Sequence, residues 1–104
     1  MSVQVDSGCA APAQEATPDD FDTRGQVVIA GTVTAGGQPL PNAYVRLLNA
    51  DGEFAGEVQA SEQGEFRFYA AAGKWTVRAL HAKGTGEAAV ETDAPKLYRV
   101  SVSV

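Results

Sequence analysis

GTVTAGGQPLPNAYVRLLNADGEFAGEVQASEQGEFRFYAAAGKWTVRAL, residues 31–80, is the stretch that decides the fold. Apolar residues alternate with polar ones along short runs, and Gly, Pro, Asn and Asp separate the runs. Alternation with a period of two is typical of β-strands that bury one face, and such breaks are typical of tight turns. The stretch therefore predicts a small antiparallel β-sandwich.

Seven strands are predicted when the same pattern is followed through the chain. They cover about residues 26–34, 43–49, 53–60, 65–70, 75–81, 87–91 and 97–104. Pro39 lies outside a central ladder, because proline lacks the backbone N–H donor. By alternation, the core between the sheets is expected to hold Val45, Leu47, Phe66, Phe68 and Trp75. The last strand is rich in Val, and we expect an edge there that pairs between subunits of a homo-oligomer.

The first 24 residues differ in composition from the rest of the 104-residue chain. They hold five acidic residues and one basic residue, whereas residues 25–104 hold eight acidic and seven basic residues. Few large apolar side chains occur before residue 25, so this segment has little to bury. We predict a flexible acidic arm over residues 1–24 and one β-sandwich domain over residues 25–104. Nucleic acid is not expected as a partner, because no strongly basic surface is predicted.

Cysteine and apolar content bear on the compartment and on metal binding. Cys9 is the single cysteine, which excludes a disulfide within the chain and fits a reducing cytoplasm. No signal peptide is visible, and no apolar run approaches the roughly 20 residues of a membrane helix, so no membrane partner is expected. Cys9 and His81 are too few ligands for a structural zinc site. The sequence predicts a cytoplasmic protein with no metal and no cofactor.

Three arginines form the candidate binding site for an oxyanion or a partner protein. Arg46, Arg67 and Arg78 lie in the middle of predicted strands, and Tyr44 and Tyr69 lie two residues from an arginine. By alternation these side chains point away from the core, and on neighbouring strands they form a ridge that binds sulfate or thiosulfate. The alternative is cross-strand pairing with one of three glutamates: Glu53, Glu57 and Glu65. Exposed pairs of that kind contribute about 0–1 kcal/mol each.

Several motifs in a fixed order carry a family resemblance. The first set is Gly31-x-Val33, Pro39-Leu40-Pro41-Asn42-Ala43, Gly64-x-Phe66-x-Phe68 and Gly73-x-Trp75-x-Val77. This order resembles the carboxypeptidase regulatory-like and transthyretin-like superfamily, which implies a seven-stranded antiparallel, prealbumin-like (Ig-like) sandwich. More narrowly, YVRLL at 44–48, GEF at 52–54, FRFYAA at 66–71 and WTVRAL at 75–80 resemble the actinobacterial DUF1416 family over about residues 25–104.

The DUF1416 resemblance implies a role in sulfur metabolism, beside a rhodanese-type thiosulfate sulfurtransferase. It brings no catalytic residue, so we expect a non-enzymatic accessory protein. Members often carry a cysteine near the start, which makes Cys9 a candidate sulfur acceptor, although its acidic neighbours do not favour the reactive thiolate. Two alternatives stay open: a direct sulfur carrier with persulfide on Cys9, and a structural module that binds another partner.

Overall fold

Eight β-strands make up the part of the chain that the structure, a computed structural model, describes: residues 17–18 and 20–104. They are β1 (Val27–Ala35), β2 (Gln38–Pro39), β3 (Tyr44–Leu48), β4 (Phe54–Gln59), β5 (Glu65–Ala70), β6 (Gly73–His81), β7 (Gly84–Thr92) and β8 (Leu97–Ser103). The predicted all-β class is confirmed. The predicted count of seven strands is one short, because the two-residue β2 carries no alternation that could reveal it. The described residues include no helix long and apolar enough to cross a membrane.

The strands form two sheets. Sheet A has the order β4-β3-β6-β7, and all its neighbours run antiparallel. Sheet B is built on β1, which pairs antiparallel with β2 and β5 along one side and parallel with β8 along the other. The prediction of a wholly antiparallel sandwich is therefore wrong for the β1–β8 pair. Alternation looks the same in both directions, so it carries no information about this difference.

Asn49 organises the predicted turn between β3 and β4. Its side-chain oxygen accepts hydrogen bonds from the backbone N–H groups of Asp51 at 3.0 Å and Glu53 at 2.9 Å. Gly52 has a φ of 81°, a left-handed conformation that glycine adopts without a Cβ clash. The side chain of Asn49 and the freedom of Gly52 together fix how β4 returns beside β3.

The core lies between the two sheets and is centred on two phenylalanines of β5. Their ring centroids are 6.1 Å apart, and aliphatic residues of both sheets surround them. Four of the five predicted core residues are buried: Val45, Leu47, Phe66 and Phe68. Trp75 is half-buried and packs against the core, while its indole N–H donates to the Ala71 carbonyl oxygen at 2.9 Å. Trp75 lies at the rim because its N–H needs a hydrogen-bond partner.

Glycine allows close backbone approach on both sides of β8. A Cβ at Gly31 of β1 would lie 1.9 Å from the Val100 carbonyl oxygen, and one at Gly86 of β7 would lie 2.0 Å from the Ser103 carbonyl oxygen. β8 is therefore held between β1 of its own sheet and β7 of sheet A. The strand that was predicted as an edge for pairing between subunits is thus contacted by β7 of the same chain.

Candidate functional site

Four charged side chains cross the outward face of sheet A in one row, which we call the charge row: Glu57, Arg46, Arg78 and Glu87. Each is the register partner of the next, on β4, β3, β6 and β7 in turn. Arg46 Nε donates to Glu57 Oε2 at 2.9 Å, and Arg78 Nη2 lies 2.5 Å from Glu87 Oε2. The outer carboxylates thereby neutralise two adjacent guanidinium groups that would otherwise repel each other.

Tyr44 lies beside the charge row, two residues before Arg46 on the same face of β3. Its register partners are Gln59 and Leu80, and 47% of its surface is exposed. Tyr44, Arg46, Glu57 and Leu80 line a shallow depression of about 240 Å³. Tyrosine and arginine are enriched at protein–protein interfaces, so this combination suits a docking surface.

Arg67 lies on the outward face of sheet B, where it contacts the segment that precedes β1. Its Nη1 donates to Thr17 Oγ1 at 3.1 Å, and its guanidinium carbon is 4.6 Å from the centroid of the Phe21 ring. Arg99 of β8 donates through Nη2 to the backbone carbonyl oxygen of Thr17. Ala30 of β1 is the register partner of both arginines, so the two flank it on one face. We call Arg67 and Arg99 the arginine clamp.

The clamp holds Thr17 over an apolar strip of β1. Val28 and Ala30 alternate with the core residue Ile29 and so face away from the core, yet both are 0% exposed. Thr17 itself is 6% exposed. The part of the outward face around Val28 and Ala30 is therefore covered, while Arg99 and Tyr69 beside it remain exposed. On sheet A, the arginines of the charge row have side chains that are 45% and 40% exposed. The domain boundary between residues 24 and 25 stays a prediction. Thr17 and Phe21, which precede that boundary, contact arginines of sheet B.

Tyr69 belongs to the surface of sheet B. It is the register partner of Val28 and remains 55% exposed. A depression of about 540 Å³ beside it is lined by Phe21, Asp22, Thr23, Arg24, Gln26 and Tyr69. Tyr44 and Tyr69, which the sequence places beside one set of arginines, therefore lie on different sheets.

The predicted ridge of three arginines is wrong, because only two of them are neighbours. Arg46 and Arg78 are register partners on β3 and β6, but Arg67 belongs to β5 of the other sheet. The alternative, pairing with Glu57, is confirmed for Arg46. Arg99 was not among the predicted site residues. Alternation in β8 places Arg99 on the face that does not hold the valines of that strand. Its position beside Ala30 depends on the parallel register with β1, which no nearby sequence feature indicates.

Asp93 and Tyr98 shape the exposed loop before β8. The Tyr98 hydroxyl donates to Asp93 Oδ1 at 2.6 Å, and this bond, with one from the Ala94 backbone N–H, lowers the pKa of the Asp93 carboxyl below its usual value. Lys96 Nζ lies 5.0 Å from the centroid of the Tyr98 ring. Because the pKa of Asp93 is lower in the folded than in the unfolded chain, the ionised carboxyl stabilises the fold above its unfolded pKa. This stabilisation is lost as the pH falls through the folded pKa.

Cys9, the predicted candidate sulfur acceptor, lies outside the described residues. His81 ends β6, and its Nδ1 accepts a hydrogen bond from the Lys83 backbone N–H at 3.1 Å. Within residues 17–18 and 20–104, no three His, Cys, Asp or Glu side chains are grouped to hold a metal ion.

Comparison with known proteins places this small two-sheet protein in a family. The model of DUF1416, whose description is "Protein of unknown function", matches residues 9–104. The chain therefore belongs to the DUF1416 family, as the motifs in residues 44–80 predict.

Mycobacterial proteins are similar to this chain over nearly their whole length. The uncharacterized proteins Rv0814c and Rv3118 of Mycobacterium tuberculosis are each 44% identical over 98 residues, which is 92% of this chain and 98% of the relative. An uncharacterized protein of Mycolicibacterium smegmatis is 44% identical over 88 residues, or 84% of this chain and 98% of the relative. These matches support the predicted actinobacterial family.

Solved structures with little sequence identity share the fold. A DUF3823 family protein from Parabacteroides merdae has a TM-score of 0.58 at 16% identity; the match covers 77% of this chain and 46% of that chain. The 3-chlorocatechol 1,2-dioxygenase from Rhodococcus opacus 1CP has a TM-score of 0.53 at 11% identity, over 96% of this chain and 66% of that one. These chains extend beyond the matched part, and the likeness concerns the fold alone.

Proposed function

We propose that this protein is a non-enzymatic accessory protein of sulfur metabolism that binds a rhodanese-type thiosulfate sulfurtransferase in the cytoplasm. Membership of the DUF1416 family over residues 9–104 carries the proposal, because the family resemblance implies this association. The lone cysteine supports the compartment, since it needs no oxidising environment. We also assign the sandwich to the transthyretin-like, carboxypeptidase regulatory-like superfamily, which its two packed sheets support.

The surface we propose for the sulfurtransferase is the charge row together with Tyr44. The order of charges along the row is acidic, basic, basic, acidic, so the net charge of the row is zero. A partner therefore recognises the order of the charges rather than their sum. Electrostatic complementarity of this kind gives specificity and register more than affinity. Tyr44, with 47% of its surface exposed beside Arg46, supplies a rigid aromatic anchor.

The test is binding to a purified mycobacterial rhodanese-type thiosulfate sulfurtransferase, measured by isothermal titration calorimetry. Four chains are compared: wild type, Tyr44→Ala, Tyr69→Ala and Cys9→Ser. We expect Tyr44→Ala to weaken binding about tenfold, which corresponds to about 1.4 kcal/mol. Tyr69→Ala is the matched control, because Tyr69 is an equally exposed tyrosine on the other sheet, and we expect it to bind like wild type.

The outcomes separate the proposal from its alternatives. No binding by the wild-type chain overturns the accessory role and leaves a module with another partner. Weakening by Tyr69→Ala, with Tyr44→Ala unchanged, moves the docking surface to sheet B. If the protein is an accessory protein, Cys9→Ser should bind the sulfurtransferase as tightly as the wild-type chain does.

The second candidate is a direct sulfur carrier, and Cys9 is its acceptor because it is the single thiol of the chain. In that reaction the Cys9 thiolate attacks the outer sulfur of the enzyme's cysteine persulfide. A new S–S bond forms on Cys9, the enzyme's S–S bond breaks, and the enzyme's cysteine leaves as a thiolate. Intact-mass analysis after incubation with the loaded enzyme and thiosulfate decides: without the added mass of one sulfur atom on this chain, the carrier role is excluded.

A further inference from the structure

We propose that the arginine clamp anchors the N-terminal segment to the outward face of sheet B and so ties the chain that carries Cys9 to that side of the sandwich. This inference does not rest on the proposed function, because the anchoring is internal to the chain. It replaces the expectation of an arm that moves freely up to residue 24.

Side chains from two strands reach one residue of the segment. Arg67 of β5 donates to the hydroxyl of Thr17, and Arg99 of β8 donates to its backbone carbonyl oxygen. Two donors on opposite sides of β1 fix both the position and the orientation of Thr17. Hydrogen bonds from charged donors are stronger than neutral ones, and Thr17 is almost fully removed from solvent.

Phe21 forms a second attachment, four residues along the chain from Thr17. The guanidinium of Arg67 lies over the Phe21 ring at 4.6 Å, within the range of a cation–π interaction. The Phe21 backbone N–H donates to the Pro18 carbonyl oxygen at 3.1 Å, which closes a turn between the two attachments. Arg67 therefore contacts both Thr17 and Phe21, while the turn sets the distance between them.

The segment and the part of sheet B beneath it are complementary. Val28 and Ala30 form an apolar floor on the outward side of β1 that is completely inaccessible to solvent. Two arginines flank this floor, and the first 24 residues carry five acidic residues against one basic residue. Apolar contact below and opposite charge at the sides both favour the docked segment.

The consequence concerns where Cys9 can reach. Cys9 precedes the anchored Thr17 by eight residues, and a fully extended chain spans about 3.3–3.6 Å per residue, so the tether measures at most roughly 29 Å. A chain that moved freely up to residue 24 would have a tether about twice as long. The anchor therefore keeps Cys9 closer on average to sheet B than to sheet A.

The experiment uses the single cysteine as a natural labelling site. A nitroxide spin label is attached to Cys9 of the full chain, and the paramagnetic broadening of each backbone amide signal is measured by NMR. We expect the amides of β5 and β8 to be broadened severalfold more than those of β3 and β6. In Arg67→Ala/Arg99→Ala this contrast should disappear, while Arg46→Ala/Arg78→Ala, the matched control on sheet A, should keep it.

Two results overturn the proposal. One is equal broadening of the two sheets in the wild-type chain, and the other is a contrast that survives the loss of both clamp arginines. Phe21→Ala provides a second variant that leaves every strand intact, and we expect it to reduce the contrast in part. If the clamp double variant does not fold, a contrast in Phe21→Ala equal to that of wild type contradicts the anchoring. The measurement involves no partner protein, so its failure is distinguishable from that of the sulfurtransferase proposal.

Discussion

Both outward faces of the sandwich carry a pair of arginines, but the two pairs have different kinds of partner. On sheet A, Arg46 and Arg78 pair with carboxylates and leave an open surface. On sheet B, Arg67 and Arg99 bond to Thr17, which lies over the buried residues Val28 and Ala30. Within the strands these arginines occur in similar alternating patterns, which shows that alternation sets the side of the sheet but not the partner.

Sequence separation distinguishes the two faces. Each ion pair of the charge row forms within one hairpin, because Arg46 and Glu57 are 11 residues apart and Arg78 and Glu87 are 9 apart. The pairing of β3 with β6 then brings the two ion pairs into one row. The clamp is assembled across the chain, because Thr17 is 50 residues from Arg67 and 82 from Arg99. The two ion pairs of the open face are therefore local products of their hairpins, while the contacts of Thr17 with Arg67 and Arg99 form only when the whole domain has formed.

The largest effect is expected in the core that both faces share. Phe66→Ala should lower the free energy of unfolding by about 3–5 kcal/mol, because Phe66 is completely buried and leaves a cavity. Urea unfolding followed by fluorescence measures the change. Phe54→Ala is the control, since Phe54 is 64% exposed, and it should change stability by less than about 0.5 kcal/mol. Equal losses in the two variants would mean that Phe66 does not support both sheets.

An intermediate effect is expected on the covered face. Arg67→Ala should cost about 1–3 kcal/mol, because it leaves the buried Thr17 hydroxyl without its donor and removes the contact with Phe21. The loss should shrink when the same substitution is made in a chain that lacks residues 1–21. A double-mutant cycle from chemical unfolding measures this coupling. A loss that is unchanged by the truncation would show that Arg67 stabilises sheet B by itself.

The smallest effect is expected on the open face. Arg46→Ala should cost about 0–1 kcal/mol, because its ion pair with Glu57 is largely exposed. Raising the salt to about 1 M, where the Debye length is about 3 Å, should remove most of this small difference. The measurement is again urea unfolding, at low and high salt. If Arg46→Ala proves as costly as Arg67→Ala, the distinction between an open and a covered face fails.

Most of the strands could be predicted from the sequence because their information is local. The Asp51-Gly52 turn and the alternation around Phe66 and Phe68 fix β3 to β5 without reference to distant residues. The two-residue β2 could not be predicted, because it contains Pro39 and proline normally argues against a strand. An edge strand tolerates proline, since its missing N–H is not needed there.

The candidate site depended on pairings between distant strands, so less of it could be predicted. The outward direction of Arg46, Arg67 and Arg78 follows from the period of two, and Glu57 was among the predicted partners of these arginines. The assignment of β5 to the second sheet and the parallel register of Arg99 have no local signature. For that reason the hypothesis of one ridge, which required the three strands to be neighbours, fails where the molecule has two separate arginine pairs.

The parallel pairing of β1 with β8 also constrains the order of events during synthesis. Val28 pairs with Leu97, so the ribosome, at about 5–20 residues per second, makes β8 roughly 3–14 s after β1. Throughout that interval the central strand of sheet B has at least one hydrogen-bonding edge without its partner, and an unpaired edge is a template for association with other chains. Pairing between such distant segments also slows folding. The nascent chain is therefore exposed to association through β1 until β8 has been made.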